Sequence, residues 1–262
     1  MAKYVVFSFD DGRLDTYTNA FAILKKYGFP ATVNVATDFI NNPQNYTNFC
    51  SAGNLAMTWE QVADLQRNGW EIASHGHLHS NNCDDIKKSL EEFEKHGINI
   101  EDIGFASPNS EIDSSNFAKL KADLTNHISY IRSGLQIRRE GLLYAGLTFL
   151  NRRLKLKGLF RLLNKRCRLN LKQDLTLKPI LSVGVTADMT DKSMISLLEA
   201  LPDNEAYILM FHSILSKQED AWKVDSWWWD EKKFEELCNW LKNQKDMDVI
   251  TTQQLVKLTT GE

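Results

Sequence analysis

The chain has 262 residues and a formal net charge of -3, with 43% apolar and 25% charged residues. That length is enough for one large domain or two small ones, and the composition is ordinary for a soluble globular protein. The charge gives no reason to expect nucleic-acid binding. No apolar run approaches the roughly 20 residues that are needed to span a bilayer.

The beginning of the chain and the cysteines both bear on location. The first apolar run follows directly after Met1, Ala2 and Lys3, which leaves no room for a signal peptide, so we expect a cytoplasmic protein. The cysteines are widely scattered and show no metal-ligand spacing, which predicts free thiols in a reducing compartment. They are Cys50, Cys83, Cys167 and Cys238.

Predicted strands and helices alternate along the chain. The patterns predict strands at 4–7, 31–35, 70–74, 103–106, 128–131, 180–185, 206–211 and 248–251. They predict helices at 16–27, 58–68, 83–96, 117–124, 193–200, 231–242 and 253–258. This alternation implies parallel strands with crossover helices. We therefore expect an α/β fold, a distorted seven- or eight-stranded parallel (β/α) barrel, with an open doubly wound sheet as the alternative.

Residues 132–178 interrupt this pattern. They hold thirteen lysines and arginines against two acids, Glu140 and Asp174. Apolar residues recur there at helical spacing, namely Leu143, Leu147, Leu150 and Leu154. We interpret the stretch as a basic helical insertion in a single domain of residues 1–262. It is either an amphipathic helix on an anionic membrane surface or an insertion with a solvated basic face.

Two adjacent carboxylates end the first apolar run. Asp10 and Asp11 follow residues 4–7 and precede Gly12. Like charges this close repel each other, so one carboxylate needs a cation and the other a proton or another partner. A divalent metal beside a general base satisfies both needs. An ordinary strand-to-loop turn is the alternative, because Asp-Gly is a common turn pair.

Other polar residues also follow predicted strands. His75 and His79 come after the third strand, Pro108 and Asn109 after the fourth, and His212 after the penultimate one. The carboxyl ends of the strands form the active-site face of a parallel barrel. A spacing of four places His75 and His79 on one side of a helix or of an extended segment. Two imidazoles and one carboxylate make a three-ligand site for zinc or another first-row divalent ion.

Three motifs together resemble the polysaccharide deacetylase family, the NodB-homology domain of carbohydrate esterase family four. They are Ser8-Phe9-Asp10-Asp11-Gly12, His75-Gly76-His77-Leu78-His79 and Leu209-Met210-Phe211-His212. The first differs from the usual family motif only in Ser8, where threonine is usual. The resemblance spans most of the chain, without the basic stretch.

The resemblance implies a role for each matching residue. Asp11, His75 and His79 would hold the metal ion, with zinc as the first candidate. Asp10 would be the general base that activates a metal-bound water, and His212 the general acid that protonates the leaving amine. The reaction would be hydrolysis of an N-acetyl group on an amino sugar, with release of acetate. Such an ion lowers the pKa of bound water and polarises the carbonyl, while base and acid move the protons.

Two departures from the family pattern stand out. The family's third motif usually carries an arginine that orients the catalytic aspartate, and Ala106 takes its place here. Arg132 or Arg139 could supply the missing charge. The Asp-and-Trp fourth motif is not evident, and Asp188 is the nearest candidate for its aspartate.

Substrate contacts are assigned to Pro108, Asn109, Trp227 and Trp228. By position, the Asn109 amide is a candidate for holding the oxyanion. The three adjacent tryptophans that begin at Trp227 could form a sugar-stacking wall, to which Trp222 could add, or a hydrophobic plug. Because adjacent side chains diverge, we expect one of the three to face the cleft and the others to pack.

The leading hypothesis is a metal-dependent carbohydrate deacetylase that acts on a glycan or a lipid-linked glycan precursor at the inner face of the membrane. The second is a hydrolase of a non-sugar amide or cyclic ureide. The third is a non-catalytic glycan-binding relative, which the loss of the arginine at Ala106 keeps open. The long polar loop at 41–56 and the tryptophans favour a sugar.

Overall fold

The computed structural model describes residues 2–46, 55–136, 140–216 and 227–260. Its strands are β1 (Lys3–Phe9), β2 (Thr32–Val35), β3 (Glu71–Ser74), β4 (Phe105–Ala106), β5 (Ile131–Gly134), β6 (Leu169–Asn170), β7 (Ile180–Gly184), β8 (Glu205–Phe211), β9 (Ser213–Leu215), β10 (Trp228–Asp230) and β11 (Met247–Val249). Its α-helices are α1 (Ala22–Tyr27), α2 (Thr37–Asn41), α3 (Trp59–Arg67), α4 (Cys83–Lys95), α5 (Ser114–Asp123), α6 (Leu142–Leu154), α7 (Lys157–Asn164), α8 (Asp191–Glu199), α9 (Glu231–Lys242) and α10 (Thr252–Thr260).

Seven parallel strands close into a barrel. Their order around the ring is β1, β2, β3, β4, β5, β7 and β8. The ring closes because β8 returns to β1, in a register that runs from Tyr4 opposite Ala206 to Phe9 opposite Phe211. The predicted parallel barrel is therefore confirmed, with seven strands rather than eight, and the open-sheet alternative is wrong.

The other four strands lie outside the ring. β11 pairs parallel with β1, and β6 pairs antiparallel with β8. β9 follows β8 after His212 and forms a short parallel pair with β10. This last pair carries two of the adjacent tryptophans, so it ties them to the strand end that bears His212.

Strand β1 is apolar on both faces because both are covered. Phe7 packs toward the surrounding helices, with its ring centroid 5.3 Å from that of Phe234 on α9. Val6 points the other way and belongs to a cluster with Ile208 of β8 and Leu255 of α10. Parallel strands buried on both faces have this near-continuous apolar sequence.

The fifth strand lies three residues later than the sequence pattern predicts. The pattern indicated 128–131, whereas β5 spans Ile131–Gly134. The basic stretch therefore begins inside the barrel wall, and Arg132 is only 1% exposed. The prediction missed this because an arginine reads as a surface residue unless a buried partner is known.

Helix α3 begins as the sequence predicts. The Thr58 hydroxyl accepts a hydrogen bond from the backbone N–H of Gln61 at 3.3 Å. The Gln61 side-chain oxygen accepts one from the Thr58 N–H at 2.9 Å. This capping box satisfies two N–H groups that the helix itself leaves unpaired, and so fixes the point at which the chain enters α3.

A buried carboxylate lies at the amino-terminal end of the barrel strands. Glu71 accepts hydrogen bonds from the Tyr130 hydroxyl at 2.5 Å, from Thr32 Oγ1 at 2.8 Å and from the backbone N–H of Gln253 at 2.8 Å. Burial raises the pKa of Glu71, and these donors oppose that effect. The carboxylate thereby links β2, β3 and the residue before β5 to the first turn of α10.

We expect Tyr130→Phe to lower the free energy of unfolding by about 1–3 kcal/mol, because the buried Glu71 carboxylate loses a donor. Urea unfolding at neutral pH measures this as a lower midpoint with an unchanged m value. Tyr27→Phe is the matched control and should change stability by less than about 0.5 kcal/mol. Equal effects of the two substitutions would contradict a special role for the Glu71 network.

Candidate active site

Two histidines and a carboxylate meet at the carboxyl ends of the barrel strands. Asp11 follows β1, and His75 and His79 follow β3. His75 Nε2 lies 3.5 Å from Asp11 Oδ1, and His79 Nε2 lies 3.8 Å from the same oxygen. One ligand atom from each of the three side chains falls within 4.8 Å of the others. The structure thus brings together the three residues that the sequence singled out as metal ligands.

The ring of His75 is oriented by a backbone carbonyl. His75 Nδ1 lies 2.8 Å from the carbonyl oxygen of Ala106 on β4. A carbonyl oxygen only accepts, so Nδ1 carries the proton and Nε2 keeps its lone pair. That lone pair is on the nitrogen nearest Asp11. This is the arrangement that holds a metal-ligating imidazole in one tautomer.

The loop between the two histidines has a shape that requires glycine. Gly76 has φ +79°, and a Cβ there would lie 2.5 Å from Asp85 Oδ2 and 2.8 Å from the Ser80 carbonyl oxygen. The Asp85 carboxylate accepts hydrogen bonds from the N–H groups of His77 at 2.9 Å and Ser80 at 3.2 Å. Asp85, in the first turn of α4, therefore fixes the path that delivers His79.

The two oxygens of Asp11 have different surroundings, because Oδ1 faces the two imidazoles and Oδ2 binds Arg13. Its Oδ2 accepts a hydrogen bond from Arg13 Nε at 2.8 Å, and Arg13 Nη1 also donates to Ser213 Oγ at 3.0 Å. Burial alone would raise the pKa of Asp11, but Arg13 and the nearby imidazoles hold it at about 2. Asp11 is therefore ionised at neutral pH, with Oδ1 directed at the imidazoles.

These residues fit a divalent first-row ion. The set consists of one carboxylate oxygen and two imidazole nitrogens, which suits zinc and its neighbours in the series. Burial, with His75 adding to it, lowers the pKa of His79 to about 4. His79 is therefore neutral at pH 7, the form in which a histidine binds metal.

The second carboxylate, Asp10, is held by different partners. Arg132 Nη2 donates to its two oxygens at 2.5 and 2.7 Å, and Asn34 Nδ2 donates to Oδ1 at 2.8 Å. Burial favours the neutral acid, but Arg132, with His75 and His212, outweighs it and lowers the pKa of Asp10. Asp10 and Asp11 thus avoid mutual repulsion by pairing with separate cations.

Arg132 supplies the charge that is absent from Ala106. The two residues are direct partners in the β4–β5 register, so their side chains leave the sheet on the same side. Arg132 Nη1 donates to Ser182 Oγ of β7 at 2.9 Å, which anchors the guanidinium on its far side. Of the two arginines that the sequence offered, Arg132 fills this position, and Arg139 lies outside the described residues.

His212 directly follows β8 and is half-buried. Its Nδ1 has no hydrogen-bond partner among the described residues. Burial lowers its pKa and Arg13 adds to this, whereas Asp11 and Asp10 favour the charged form. The Trp227 ring lies 4.8 Å away, centroid to centroid, at an angle of 51°. His212 therefore has a free ring nitrogen and a partly exposed indole beside it.

The tryptophans divide between the surface and the core. Trp227 is 40% exposed and leans on His212, whereas Trp229 is fully buried and donates its indole N–H to the Met189 carbonyl at 3.0 Å. Trp228 is half-buried on β10. Trp222 lies outside the described residues. Trp227 is thus the one of the three with ring surface next to the site.

The turn after β4 holds the other two substrate candidates. Pro108 is buried, and its carbonyl accepts a hydrogen bond from Asn81 Nδ2 at 3.1 Å. Asn109 is exposed and left-handed, with φ +53°, and its carbonyl accepts from Gln136 Nε2 at 2.7 Å. Both residues stay predictions as substrate contacts.

Asp188 bonds to residues outside this cluster, whereas the described end of the long loop pairs with the segment after Asp11, through the bridge between Ala56 and Arg13. Asp188 accepts from Thr186 Oγ1 at 2.6 Å and pairs with Lys155 at 3.6 Å and Arg152 at 3.7 Å. It therefore joins the loop after β7 to helix α6. Of the polar loop at 41–56, residues 47–54 lie outside the described part of the chain.

Sequence reasoning missed several polar residues that build the site. Asn34 binds Asp10, Arg13 binds Asp11, Ser182 binds Arg132 and Asp85 shapes the histidine loop. Asn34 had a usable signal, because a lone amide inside the apolar strand 31–35 needs a buried partner. Arg13 had one as well, since it follows the carboxylate pair directly.

Comparison with known proteins points to one family. Residues 1–115 match the family model described as polysaccharide deacetylase. A curated relative, the putative polysaccharide deacetylase YxkH of Bacillus subtilis, is 33% identical over 73 residues, which cover 28% of this chain and 22% of the relative. The family model therefore spans the motifs at Asp10 and His75 but not His212, and most of the curated relative is unmatched by this chain.

Solved structures of similar fold cover the whole chain. The Xyl-CE4 domain of a multidomain xylanase from the hindgut metagenome of Trinervitermes trinervoides aligns with a TM-score of 0.51 and 15% identity, over 100% of this chain and 92% of that domain. A family 4 acetyl xylan esterase from Clostridium thermocellum gives 0.51 and 15%, over 97% of this chain and 91% of the esterase. At these identities the likeness shows a shared fold.

We expect Arg132→Met to lower the free energy of unfolding by about 3–5 kcal/mol, because Asp10 becomes a buried charge without its cation. A lowered pKa contributes stability that is complete above the ordinary value of 3.8 and is lost as pH falls toward the lowered pKa, so the deficit should shrink as pH falls below about 4. Denaturant unfolding across pH measures both effects. A swap variant, Ala106→Arg with Arg132→Ala, should recover part of the loss, and a deficit independent of pH would contradict the pairing.

We expect the part of the zinc affinity that His79 supplies, measured as the difference between the unaltered chain and His79→Ala, to persist between pH 8 and about 5 and to be lost as pH drops through about 4, because the pKa of His79 is about 4. Equilibrium dialysis with elemental analysis measures this. His79→Ala should weaken binding at least tenfold, whereas His77→Gln, in the same loop, should not. If that difference were lost near pH 6.5 instead, the lowered pKa of His79 would be contradicted.

Proposed function

The likeness to the polysaccharide deacetylase family is confirmed over residues 1–115, and from it we propose that this chain is a hydrolase that removes N-acetyl groups from an amino-sugar glycan or glycan precursor. One observation carries the proposal. A buried carboxylate paired with arginine stands beside a cluster of one carboxylate and two imidazoles, on the active-site face of the barrel.

We propose that Asp11, His75 and His79 hold one divalent ion, with zinc as the first candidate. Such an ion would supply a lowered pKa for water and a polarised acyl carbonyl. The choice of a first-row ion has support from a relative, because the Clostridium thermocellum esterase was solved in complex with a cobalt ion.

Asp10 is suited to the part of general base. Arg132 and Asn34 hold both its position and its ionised form, so a proton acceptor is always present at neutral pH. The same clamp leaves no freedom for the carboxylate to turn toward Asp11. A base held in this way takes the proton from water without first rearranging.

His212 is suited to the part of general acid. The amine needs a proton as it leaves, and His212 lies near both carboxylates; burial lowers its pKa overall, while Asp11 and Asp10 partly oppose that effect by favouring the protonated imidazole. Its Nδ1 is buried and has no hydrogen-bond partner among the described residues. Base and acid then stand on different strands, β1 and β8, which are neighbours in the ring.

The substrate assignments rest on position. Trp227 presents a partly exposed indole next to His212, and the flat apolar face of a sugar ring packs well on such a surface. We assign a lesser contact to Trp228. Pro108 and Asn109 would border the acyl group from the β4 side, where the Asn109 amide could support the developing negative charge.

Two other functions are weaker. A non-sugar amide or cyclic ureide would use the same catalytic groups and would leave Trp227 without a role. A non-catalytic glycan-binding protein gained support from the alanine at 106, and Arg132 removes that support by restoring the charge next to Asp10. The sugar deacetylase therefore stays the first proposal.

We also propose a reducing, cytoplasmic location. Cys83, Cys167 and Cys238 are free thiols, and Cys50 lies outside the described residues. Burial raises the pKa of the Cys167 thiol to about 12, which keeps it unreactive. Among the described helices, none has both the length and the hydropathy that crossing a bilayer requires.

The test is acetate release from N-acetylglucosamine oligomers and from nucleotide- or lipid-linked amino sugars, together with elemental analysis of bound metal. We expect Asp10→Asn to lower turnover by about 10²–10⁴-fold while metal stays bound, because the base is lost and the ligands remain. Asp64→Asn, on helix α3, is the control and should keep full rate.

Each alternative has its own outcome in that experiment. Release from small amides alone would favour the non-sugar hydrolase, and neither metal nor release would favour the binding protein. Full activity of the Asp10→Asn variant would overturn the assignment of the base.

A further inference from the structure

Helices α6 and α7 expose an unusual share of the protein's large apolar side chains. The described residues expose twelve such side chains, and seven of them fall between positions 142 and 162. They are Leu142, Leu143, Phe149, Leu150, Leu154, Leu156 and Leu162. Scattered exposed leucines need no explanation, but a concentration in one helical pair marks an interaction surface.

Helix α6 has its apolar side turned outward. Exposed positions recur at intervals of three, four and seven, which is one face of a helix. They are Leu142, Leu143, Gly146, Phe149, Leu150, Arg153 and Leu154, and Arg152 is exposed outside this face. The opposite side faces the protein, where Asn151 is buried and the Tyr144 hydroxyl donates to the Leu163 carbonyl at 3.1 Å. A surface helix of a globular protein normally has the reverse arrangement.

Basic residues border this apolar face. Residues 141–168 contain eight lysines and arginines and no acid, although the whole chain has a net charge of -3. Four of these cations, Arg153, Lys157, Arg161 and Lys165, are exposed and form no ion pair within the described residues. A local positive surface on a negative protein favours an anionic partner.

From this combination we propose that the outer face of α6 and α7 docks the protein on the surface of an anionic phospholipid bilayer. Exposed leucine and phenylalanine beside lysine and arginine are what an interfacial helix uses, with the apolar side chains among the acyl chains and the cations at the headgroups. A second copy of the chain fits less well, because two such faces would bring eight cations against eight.

Docking there would bring the catalytic face close to the lipid headgroups. A cavity of about 110 Å³ separates the two helices from the barrel, and it is lined by Tyr144, Asn151, Phe160, Gly184 and Trp227. Trp227 is the residue that leans on His212. Trp227 therefore lies between the docking helices and His212. Membrane binding itself does not depend on the proposed reaction.

Vesicle sedimentation of the full chain tests the proposal. The probes are phosphatidylcholine vesicles and vesicles in which phosphatidylglycerol replaces about a third of that lipid. We expect binding to the anionic vesicles alone, with an affinity that falls as salt rises. Replacing Arg153, Lys157, Arg161 and Lys165 with glutamine should weaken it at least tenfold.

A control variant separates local charge from net charge. Replacing the exposed Lys25, Lys119, Lys192 and Lys245 with glutamine removes the same charge elsewhere and should leave binding within about twofold. A third variant, Leu143→Gln with Phe149→Gln, keeps every cation and should also weaken binding, because the apolar anchor is lost. All the replaced side chains are exposed, so circular dichroism should confirm an unchanged fold.

Three results would overturn the proposal. Equal binding to neutral vesicles would exclude an electrostatic surface, and an equal loss in the control variant would exclude a local one. Concentration-dependent dimers that vanish in the Leu143→Gln, Phe149→Gln variant, without any vesicle binding by the unaltered chain, would assign the face to a second copy instead.

Discussion

The buried ion pair between Asp10 and Arg132 is the constraint on which the rest of the site depends. Both side chains are almost fully buried, and a charge in such a place is tolerated only when an opposite charge and hydrogen bonds accompany it. Asn34 and Ser182 complete the bonding on either side. The barrel must therefore close with β1, β2, β5 and β7 in the observed register, since any slip would leave one of these charges alone.

A residue on a neighbouring strand can supply the positive charge that is absent from position 106, where the family pattern has an arginine. Ala106 and Arg132 are paired across β4 and β5, so an arginine on either strand can reach the same carboxylate. The alanine also has a function that does not depend on its side chain, because its carbonyl fixes the tautomer of His75. The requirement is thus for a positive charge and a carbonyl at given points in space, rather than for a residue at a given place in a motif.

The basic stretch serves two physical environments. Its first residue is a buried arginine of the barrel wall, and its helical part turns leucines and cations outward. In the sequence, the buried arginine and the exposed cations belong to one continuous basic stretch. The fold separates them, because β5 is a strand of the ring whereas α6 and α7 lie on the surface. The ion pairs of Asp188 with Arg152 and Lys155 connect α6 to the loop that follows β7.

The sequence by itself predicted the parallel barrel and the grouping of Asp11, His75 and His79 as candidate metal ligands. Alternating strands and helices allow few topologies. Side chains that follow strand ends share one face of the barrel, and His75 and His79, four residues apart, meet through local geometry. Only the tertiary structure decided which arginine holds Asp10, where β5 begins, and which tryptophan lies beside His212. The physical reason is distance along the chain. Asp10 and Arg132 are 122 positions apart, and their contact exists only once the sheet register around the ring is set.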